Sequence, residues 1–361
     1  MREGRAFLER ALAARKGGSI AIRAKALTAA AEMAFYLDDI ERMEALCRES
    51  LSLFEELGDI QGMAKAHYLQ GTAAWWRSRF AEAYAQLAEA FSLFHRAGDT
   101  WGKANTLVRL GRVTLDQGKC EEARTWFEQS LVLFRGLNDQ QRIAYVLAFL
   151  GRTLFVSLED ISRARALTEE SQGLLRQLNQ VQGSAYVSCL LAEILAEQGE
   201  IARARMLAEE QIAIHREVGE KAAIAETLLS FARIVALEGD FVKARQLYME
   251  SLAFARASEY TPVIASSLEG LGEVALTERE PVLAARLWGK AERLREEIDA
   301  TMFPLYRASY ERALALARTE LGENTFVEAI QEGRGMSLER VLAAHDARAH
   351  PAPLGTEPGS S

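Results

Sequence analysis

Two arginines, Arg112 and Arg152, stand 40 residues apart at equivalent places in neighbouring segments of the chain. A guanidinium group offers five N–H donors in a planar fork that matches a carboxylate or phosphate group. Aromatic and polar side chains recur at positions that would face the same way, and aromatic rings supply apolar walls. These further candidates are Tyr68, Trp75, Asn105, Arg109, Tyr145, Phe155, Tyr186 and Arg233. The set predicts a binding surface for a carboxylate, a phosphate or a peptide C-terminus, and its rings would also suit a sugar.

The sequence contains no recognisable motif for nucleotide binding, hydrolytic catalysis or metal binding. The segments Trp101–Lys103 and Trp288–Lys290 contain Gly-Lys, but they lack the upstream glycine and the Ser/Thr of a phosphate-binding loop. No GxSxG, HExxH or CxxC occurs, and the histidines do not stand at metal-ligand spacing. Paired carboxylates such as Glu55 and Glu56 fall on polar helix faces, where solvation accounts for them. We therefore predict no enzyme, no cofactor and no metal.

Composition narrows the class of protein further. The 361 residues carry 43 Lys and Arg against 51 Asp and Glu, a net charge of −8, which argues against binding nucleic acid. The longest wholly apolar run is residues 143–150, far below the ~20 residues of a membrane span. No apolar signal segment follows the N-terminus, and the three cysteines lie far apart, which favours a reducing cytoplasm.

A repeat of 40 residues must position the candidate residues. Breaks rich in Gly, Asn and Asp recur at residues 58, 98, 138, 179 and 219, with one inserted residue in the middle. A second set of breaks with the same period interleaves with the first, so each unit holds two helices, A and B. Helix A carries a small residue at a fixed place in every unit: Ala31, Gly71, Gly111, Gly151, Ala192, Ala232 and Gly272. Small residues at fixed points let helix axes approach closely.

The predicted fold is all-α: a right-handed α-α superhelix of about seven 40-residue helix pairs with C-terminal capping helices. The solenoid would span residues 1–300, with an orphan half-repeat helix at 1–16. The units are expected near 19–57, 59–97, 99–137, 139–178, 180–218, 220–258 and 260–298. Capping helices should occupy 301–345 and cover the last apolar face, and 346–361, rich in Pro, Gly and Ser, should be a disordered tail.

Several segments resemble one family. They are Ala45–Asp59 (ALCRESLSLFEELGD), Ala284–Ile298, Tyr310–Phe326 and Glu332–Leu342. These segments are similar to the MalT-like tetratricopeptide-repeat (TPR) sensor domain of LuxR-type and STAND ATP-binding transcriptional regulators. The resemblance covers nearly the whole chain. It implies a non-enzymatic domain that binds a protein, peptide or small-molecule effector in its concave groove. It also implies an ATPase and a DNA-binding domain outside this chain.

The sequence leaves open the type of function and whether the chain is a fragment of a longer protein. The chain could instead be a stand-alone scaffold that binds an extended peptide or a partner helix. The helix expected at 1–16 has no helix A before it, which favours a fragment of a longer protein over a simple N-terminal cap. Sequence flanking this segment in the natural gene would separate the two functions.

Helix A lines the concave face in TPR-like solenoids, so the rows around its small residue should face the groove. On this assignment the first half is aromatic and basic, whereas the second half is small and acidic, with Glu193, Glu226 and Glu273. The competing interpretation is that Trp75 and Phe155 pack between units and that the arginines pair with nearby acids or helix ends. Trp101, Trp126 and Trp288 are expected to serve packing alone.

Overall fold

The computed structural model describes residues 19–37 and 39–349, and these contain helices and turns but no strand. The helices are α1 Ile20–Tyr36, α2 Ile40–Leu57, α3 Ile60–Trp76, α4 Phe80–Arg96, α5 Thr100–Asp116, α6 Cys120–Gly136, α7 Gln140–Val156, α8 Ile161–Gln177, α9 Val181–Glu197, α10 Ile201–Val218, α11 Lys221–Glu238, α12 Phe241–Ala257, α13 Thr261–Thr277, α14 Pro281–Glu297, α15 Pro304–Leu321, α16 Glu323–Gly335 and α17 Leu338–Ala349. Helices α1–α14 form seven consecutive antiparallel pairs, which we call units 1 to 7. The predicted all-α solenoid is confirmed, while the helix expected at 1–16 lies outside the described residues.

The recurring breaks form the helix ends. The side chain of Asp59 accepts a hydrogen bond from the Gly62 N–H at 2.9 Å, and Asp99 accepts one from Gly102 at 2.7 Å. Each satisfies a backbone donor that has no partner in the first turn of the helix. Gly58, at the end of α2, has φ 65°, the left-handed conformation that closes a helix with little strain in glycine.

The small residues mark the contact between helices A and B of one unit. A Cβ atom on Gly111 would lie 2.6 Å from the Phe127 ring, and one on Gly151 would lie 2.6 Å from Thr168 Oγ1. These distances are too short for any side chain, so the two helices approach as closely as backbone allows. At Gly111 and Gly151, the small residue of helix A therefore lies at the contact with helix B, where the sequence predicts it.

The last unit is covered by α16 and α17. A Cβ on Gly289 of α14 would lie 2.1 Å from the carbonyl oxygen of Ile330, and Gly333 approaches the backbone of α14 from the other side. Phe326 and Val341 are buried against this face. Helix α17 continues to Ala349, so the disordered tail predicted from residue 346 begins too early, and residues 350–361 lie outside the described part of the chain.

Helix α15 packs on the last unit and also reaches back to unit 4. Of its described side chains only Ala317 is buried, and the helix contacts α13 and α14 of unit 7, the following helix α16, and α7 of unit 4. The residues that lead into it, 298–306, cross the interior of the superhelix and are called the crossing segment below. Phe303 and Leu305 of this segment pack on the apolar cluster of units 3 to 5. The sequence did not predict this path through the interior, where Ala300, Phe303 and Leu305 pack against units 2 to 5.

No helix within the described residues is long and apolar enough to cross a membrane.

Candidate functional site

The superhelix completes a turn, so that unit 2 touches unit 7. The ring of Trp76, at the end of α3, lies 6.3 Å from the ring of Tyr260, which precedes α13. Trp75 lies 6.5 Å from the same tyrosine, and Phe35 of unit 1 lies 5.9 Å from Trp76. This aromatic junction closes one side of the interior, into which the A helices project their groove residues.

Arg112 lies flat on the aromatic wall of this interior. Its guanidinium carbon is 4.0 Å from the centre of the Trp75 ring and 5.2 Å from that of Phe149. Among the described residues, no carboxylate oxygen lies within 4.0 Å of its nitrogens. Asp116, one turn further along α5, instead accepts a hydrogen bond from Trp75 Nε1 at 2.7 Å. Arg112 therefore keeps its N–H donors available.

The carboxyl group of Asp116 is shielded from water. Burial raises its pKa to about 6, although Arg112, the hydrogen bond from Trp75 and Arg152 each lower it. At neutral pH this carboxyl group is still mostly ionised, because a pKa of about 6 lies below 7, so its negative charge offsets part of the positive charge of Arg112.

Arg152 occupies the equivalent place in unit 4 and is half-buried. It makes no hydrogen bond or ion pair with any side chain that the structure describes. Burial alone would lower its pKa, but Tyr186 and the carboxylates of Glu226 and Glu193 raise it well above the ordinary arginine value. The carboxylates of Glu193 and Glu226 therefore stabilise this cation through space, without a direct ion pair.

A second group of candidates lies between two connected cavities. Arg109 donates from Nε to the Tyr68 hydroxyl at 3.2 Å, and Asn105 donates to the Trp101 carbonyl at 3.0 Å. These side chains line both a cavity of about 310 Å³ and one of about 820 Å³. Arg142, which stacks on Trp101 at 5.4 Å, also borders both.

The smaller cavity gathers most of the predicted site. Its lining includes Trp75, Arg112, Tyr145 and Tyr186 beside the shared wall. It also holds residues that the sequence did not single out: Trp76, Phe149, His215 and Tyr260. The indole N–H of Trp76 is buried and has no hydrogen-bond partner among the described residues. The cavity therefore combines the guanidinium groups of Arg109, Arg112 and Arg142 with aromatic walls, and Glu220 and Glu226 line it as well.

Three predicted residues take other roles. Phe155 is 1% exposed and belongs to the core of units 3 to 5, so it does not line the groove. Arg233 stacks on Tyr306 of the crossing segment at 3.8 Å, which covers it. Arg152 borders neither cavity directly. Trp288 is fully buried as expected, whereas Trp101 is 48% exposed and lines the larger cavity, contrary to the packing role predicted for it.

The acidic half of the interior is largely satisfied by tyrosine hydroxyls. Tyr260 donates to Glu226 at 3.1 Å, and Tyr306 donates to Glu193 at 2.9 Å. Burial raises the pKa of Glu273 to about 7 despite the nearby Arg233. The sequence places these acids in the second half of the solenoid. The completed superhelical turn brings them opposite the arginines, which linear rows of residues cannot show.

Comparison with known families finds one match along the chain. Residues 62–136, 102–177 and 183–257 match the sequence model described as Tetratricopeptide repeat. Together these stretches cover more than half of the chain. A search of curated proteins finds no significant match.

Solved structures with the same architecture include two Rap proteins. A Rap protein complexed with competence and sporulation factor has 16% identity and a TM-score of 0.63, with 96% of this chain and 92% of that chain covered. The Rap conjugation regulator of plasmid pLS20, in complex with the Phr* peptide, has 16% identity and a TM-score of 0.62, over 77% and 75%. A STAND protein with a tetratricopeptide-repeat sensor from Pyrococcus horikoshii has 14% identity and a TM-score of 0.50, over 70% and 38%. Identities this low show a shared fold alone.

Proposed function

The chain belongs to the tetratricopeptide-repeat family, and from this premise we propose that it is a non-enzymatic sensor domain that binds an anionic effector inside its superhelix. The finer proposal is that it forms the regulatory sensor region of a bacterial STAND or LuxR-type transcriptional regulator. An ATPase and a DNA-binding domain would then lie outside this chain. We place it in the cytoplasm because its three cysteines are free thiols.

One observation carries the proposal. Arg112 and Arg152 are shielded arginines on adjacent units, and neither forms an ion pair with a described residue. Structural arginines in an interior normally repay their desolvation by pairing with a carboxylate. Here the neighbouring acids bond to tyrosine hydroxyls or to Trp75 instead. An anion that enters the cavity would complete the pairing, and the surrounding aromatic rings would strengthen its hydrogen bonds by excluding water.

The chemistry selects the class of effector. The guanidinium group of Arg112, with the further positive charge of Arg152 on the next unit, suits a carboxylate, a phosphate or the C-terminus of a peptide, each of which accepts paired N–H donors. The walls of Trp75 and Phe149 favour a ligand with apolar or ring-bearing parts. A small effector would fit the 310 Å³ cavity, since ligand pockets of ~300–1,000 Å³ are usual.

The second candidate function is a scaffold that binds an extended peptide. The 820 Å³ cavity favours it, because this cavity shares lining residues with the smaller one and is lined by units 1 to 4. Lys25 and Lys65 border the larger cavity, and Trp101 offers an exposed ring there. A peptide with its C-terminus near Arg112 could run outward along this path. The Rap structures above contain a peptide or signalling factor, which is consistent with this use of the fold.

The test compares Arg112→Ala and Arg152→Ala with the wild type by isothermal titration calorimetry. The probes are inorganic phosphate, citrate, and hexapeptides with a free or amidated C-terminus. Arg112→Ala should abolish binding, because Arg112 lines the cavity, and Arg152→Ala should weaken it through the loss of a nearby positive charge. Circular dichroism should show that both variants keep the helical fold. Arg135→Ala, on the exposed face of α6, is the matched control. Equal binding by all three variants would reject the site.

The finer assignment has its own test. The coding sequence on both sides of this segment should contain a P-loop ATPase or a helix-turn-helix domain. If both flanks lack these domains, the scaffold function is favoured instead.

A further inference from the structure

The crossing segment joins the last unit of the solenoid to the third. The backbone N–H of Thr301 donates to the carbonyl of Gln117 at 3.1 Å, and the Thr301 hydroxyl donates to the same oxygen at 3.2 Å. Gln117 returns a hydrogen bond from Nε2 to Asp299 at 3.0 Å. Lys119 lies 3.8 Å from the same carboxylate. These bonds span more than 180 residues of sequence and fix the segment to the turn after α5.

Apolar contacts hold the same segment on both sides. Ala300 is 8% exposed and belongs to a cluster with Trp75, Phe80 and Leu110 of units 2 and 3. A Cβ on Gly118 would lie 2.2 Å from Thr301 Oγ1, so the loop after α5 leaves room for the segment only because residue 118 is glycine. The segment is therefore fitted to this loop by shape as well as by hydrogen bonds.

Further along, the segment reaches across to unit 5. Tyr306 donates to Glu193 at 2.9 Å, and its ring covers the guanidinium of Arg233 at 3.8 Å. The end of the segment thus occupies part of the second half of the concave groove with groups from this chain, while residues of both halves line the smaller cavity.

The crossing segment and the arginine site share structural elements. Gln117, which anchors the segment, directly follows Asp116, whose carboxylate is held by Trp75. Glu193, which accepts from Tyr306, also contributes to the electrostatic environment of Arg152. The contact of Tyr260 with Trp75 and Trp76, which forms one wall of the cavity, requires unit 7 to pack against unit 2.

We propose that the crossing segment is a latch that holds the superhelix closed and so assembles the site around Arg112 and Arg152. Gln117 and Tyr306 are positioning residues in this arrangement, since they touch the latch rather than the effector. The linkage to an effector rests on the proposed function. A ligand that binds only the assembled site must stabilise the closed latch by the same free energy with which closure favours its binding.

Hydrogen exchange tests the latch without any ligand. Thr301 donates its amide proton across the latch, so exchange in peptides spanning residues 298–306, followed by mass spectrometry, reports opening directly. Tyr306→Phe removes the bond to Glu193 and should speed exchange about tenfold, as expected for losing a hydrogen bond to a charged group. Tyr310→Phe is the matched control on the same helix, because Tyr310 bonds to Glu292 of α14 in unit 7 at 3.2 Å and not to units 3 to 5. Gln117→Met provides a second variant at the other anchor and should act in the same direction.

The outcomes separate the latch from the proposed function. Free-peptide exchange rates in the wild type, or equal effects of the Tyr306 and Tyr310 variants, would overturn the latch. Added inorganic phosphate should slow exchange of the segment in the wild type but not in Arg112→Ala. Phosphate that binds without changing exchange would also overturn the proposal. If phosphate does not bind while both latch variants speed exchange, the phosphate form of the proposed function fails and the latch stands.

Discussion

The indole N–H of Trp75 donates a 2.7 Å hydrogen bond to the carboxylate of Asp116, which joins unit 2 to unit 3 inside the superhelix. Arg112 lies 4.0 Å above the same indole ring. Asp116 and Arg112 lie one turn apart on α5, and the carboxylate hydrogen-bonds to Trp75 instead of forming an ion pair with Arg112. This arrangement leaves a guanidinium group supported by an aromatic face and open to the cavity.

The raised pKa of Asp116 predicts a pH dependence of stability. Its pKa of about 6 lies above its ordinary value of 3.8, so the folded state binds the proton more tightly than the unfolded state. The free energy of unfolding should therefore fall as pH rises from about 4 to about 6. Asp116→Asn should remove this part of the decline, which is at most about 3 kcal/mol at roughly 1.4 kcal/mol per pKa unit.

Urea unfolding at a series of pH values between 4 and 7.5 measures this effect. Glu128→Gln, on the exposed face of α6, is the control and should follow the wild-type curve. Glu273, with its pKa of about 7, contributes a similar decline at higher pH in every variant. An Asp116→Asn curve parallel to the wild type would show that this carboxyl is solvated.

Gly111→Leu and Gly151→Leu should destabilise the fold severely. A Cβ at Gly111 would already lie 2.6 Å from the Phe127 ring, so a leucine must push the two helices of unit 3 apart. Overpacking of this kind costs about 1–3 kcal/mol or more. Gly136→Leu is the control, because nothing lies within 4 Å of its Cβ position. Thermal melts decide the matter, and parent-like melting of either core variant would mean that the small-residue row is misassigned.

The pair formed by Arg295 and Glu269 should matter more than any ion pair on the outer surface. Arg295 Nη2 lies 2.8 Å from a Glu269 oxygen, and the two side chains are only 13% and 10% exposed. Arg295→Ala leaves a shielded carboxylate without its partner, which typically costs about 3–5 kcal/mol. Arg293→Ala breaks a 2.8 Å pair with Glu297 that is nearly half-exposed, and should cost below ~1 kcal/mol. Equal midpoints of urea unfolding would refute this ranking.

Arg112→Lys should bind the effector less tightly than the wild type but better than Arg112→Ala. Lysine keeps the positive charge, yet it loses the planar stack on Trp75 and the paired N–H donors. Titration with the best of the carboxylate, phosphate and peptide probes measures the order. Equal affinities of the lysine variant and the wild type would indicate that the site uses charge alone.

The repeats could be predicted because each landmark acts locally. Gly58 ends a helix, Asp59 caps the next, and Gly111 meets its own partner helix, so the sequence around each residue is sufficient. The contact of Trp76 with Tyr260 depends on the pitch of the superhelix, which accumulates small rotations over several units. No short sequence pattern encodes this accumulated rotation. For the same reason, the sequence could not predict that the acidic half of the groove lies opposite the basic half.

Phe155 and the crossing segment show a second limit. The sequence spacing gives the direction of a side chain on its helix only to within part of a turn. Phe155 was expected to face the groove, but it points into the core instead. Residues 298–303 precede helix α15 and carry no helical periodicity, so their apolar side chains gave no indication of where they are buried. Arg112, Tyr145 and Tyr186 do reach one cavity, because they lie nearer the centre of the concave face.

The bond between Thr301 and Gln117 changes how a repeat protein should unfold. An open solenoid has contacts only between neighbouring units, so it can lose its ends one unit at a time. Here the seventh unit is tied to the third, and units 3 to 7 form a closed loop that cannot fray from its C-terminal end. Forming that contact requires the ordering of more than 180 intervening residues, which adds loop-closure entropy and raises contact order. Refolding of this protein should therefore be slower, and its unfolding transition sharper, than those of an open array of equal length.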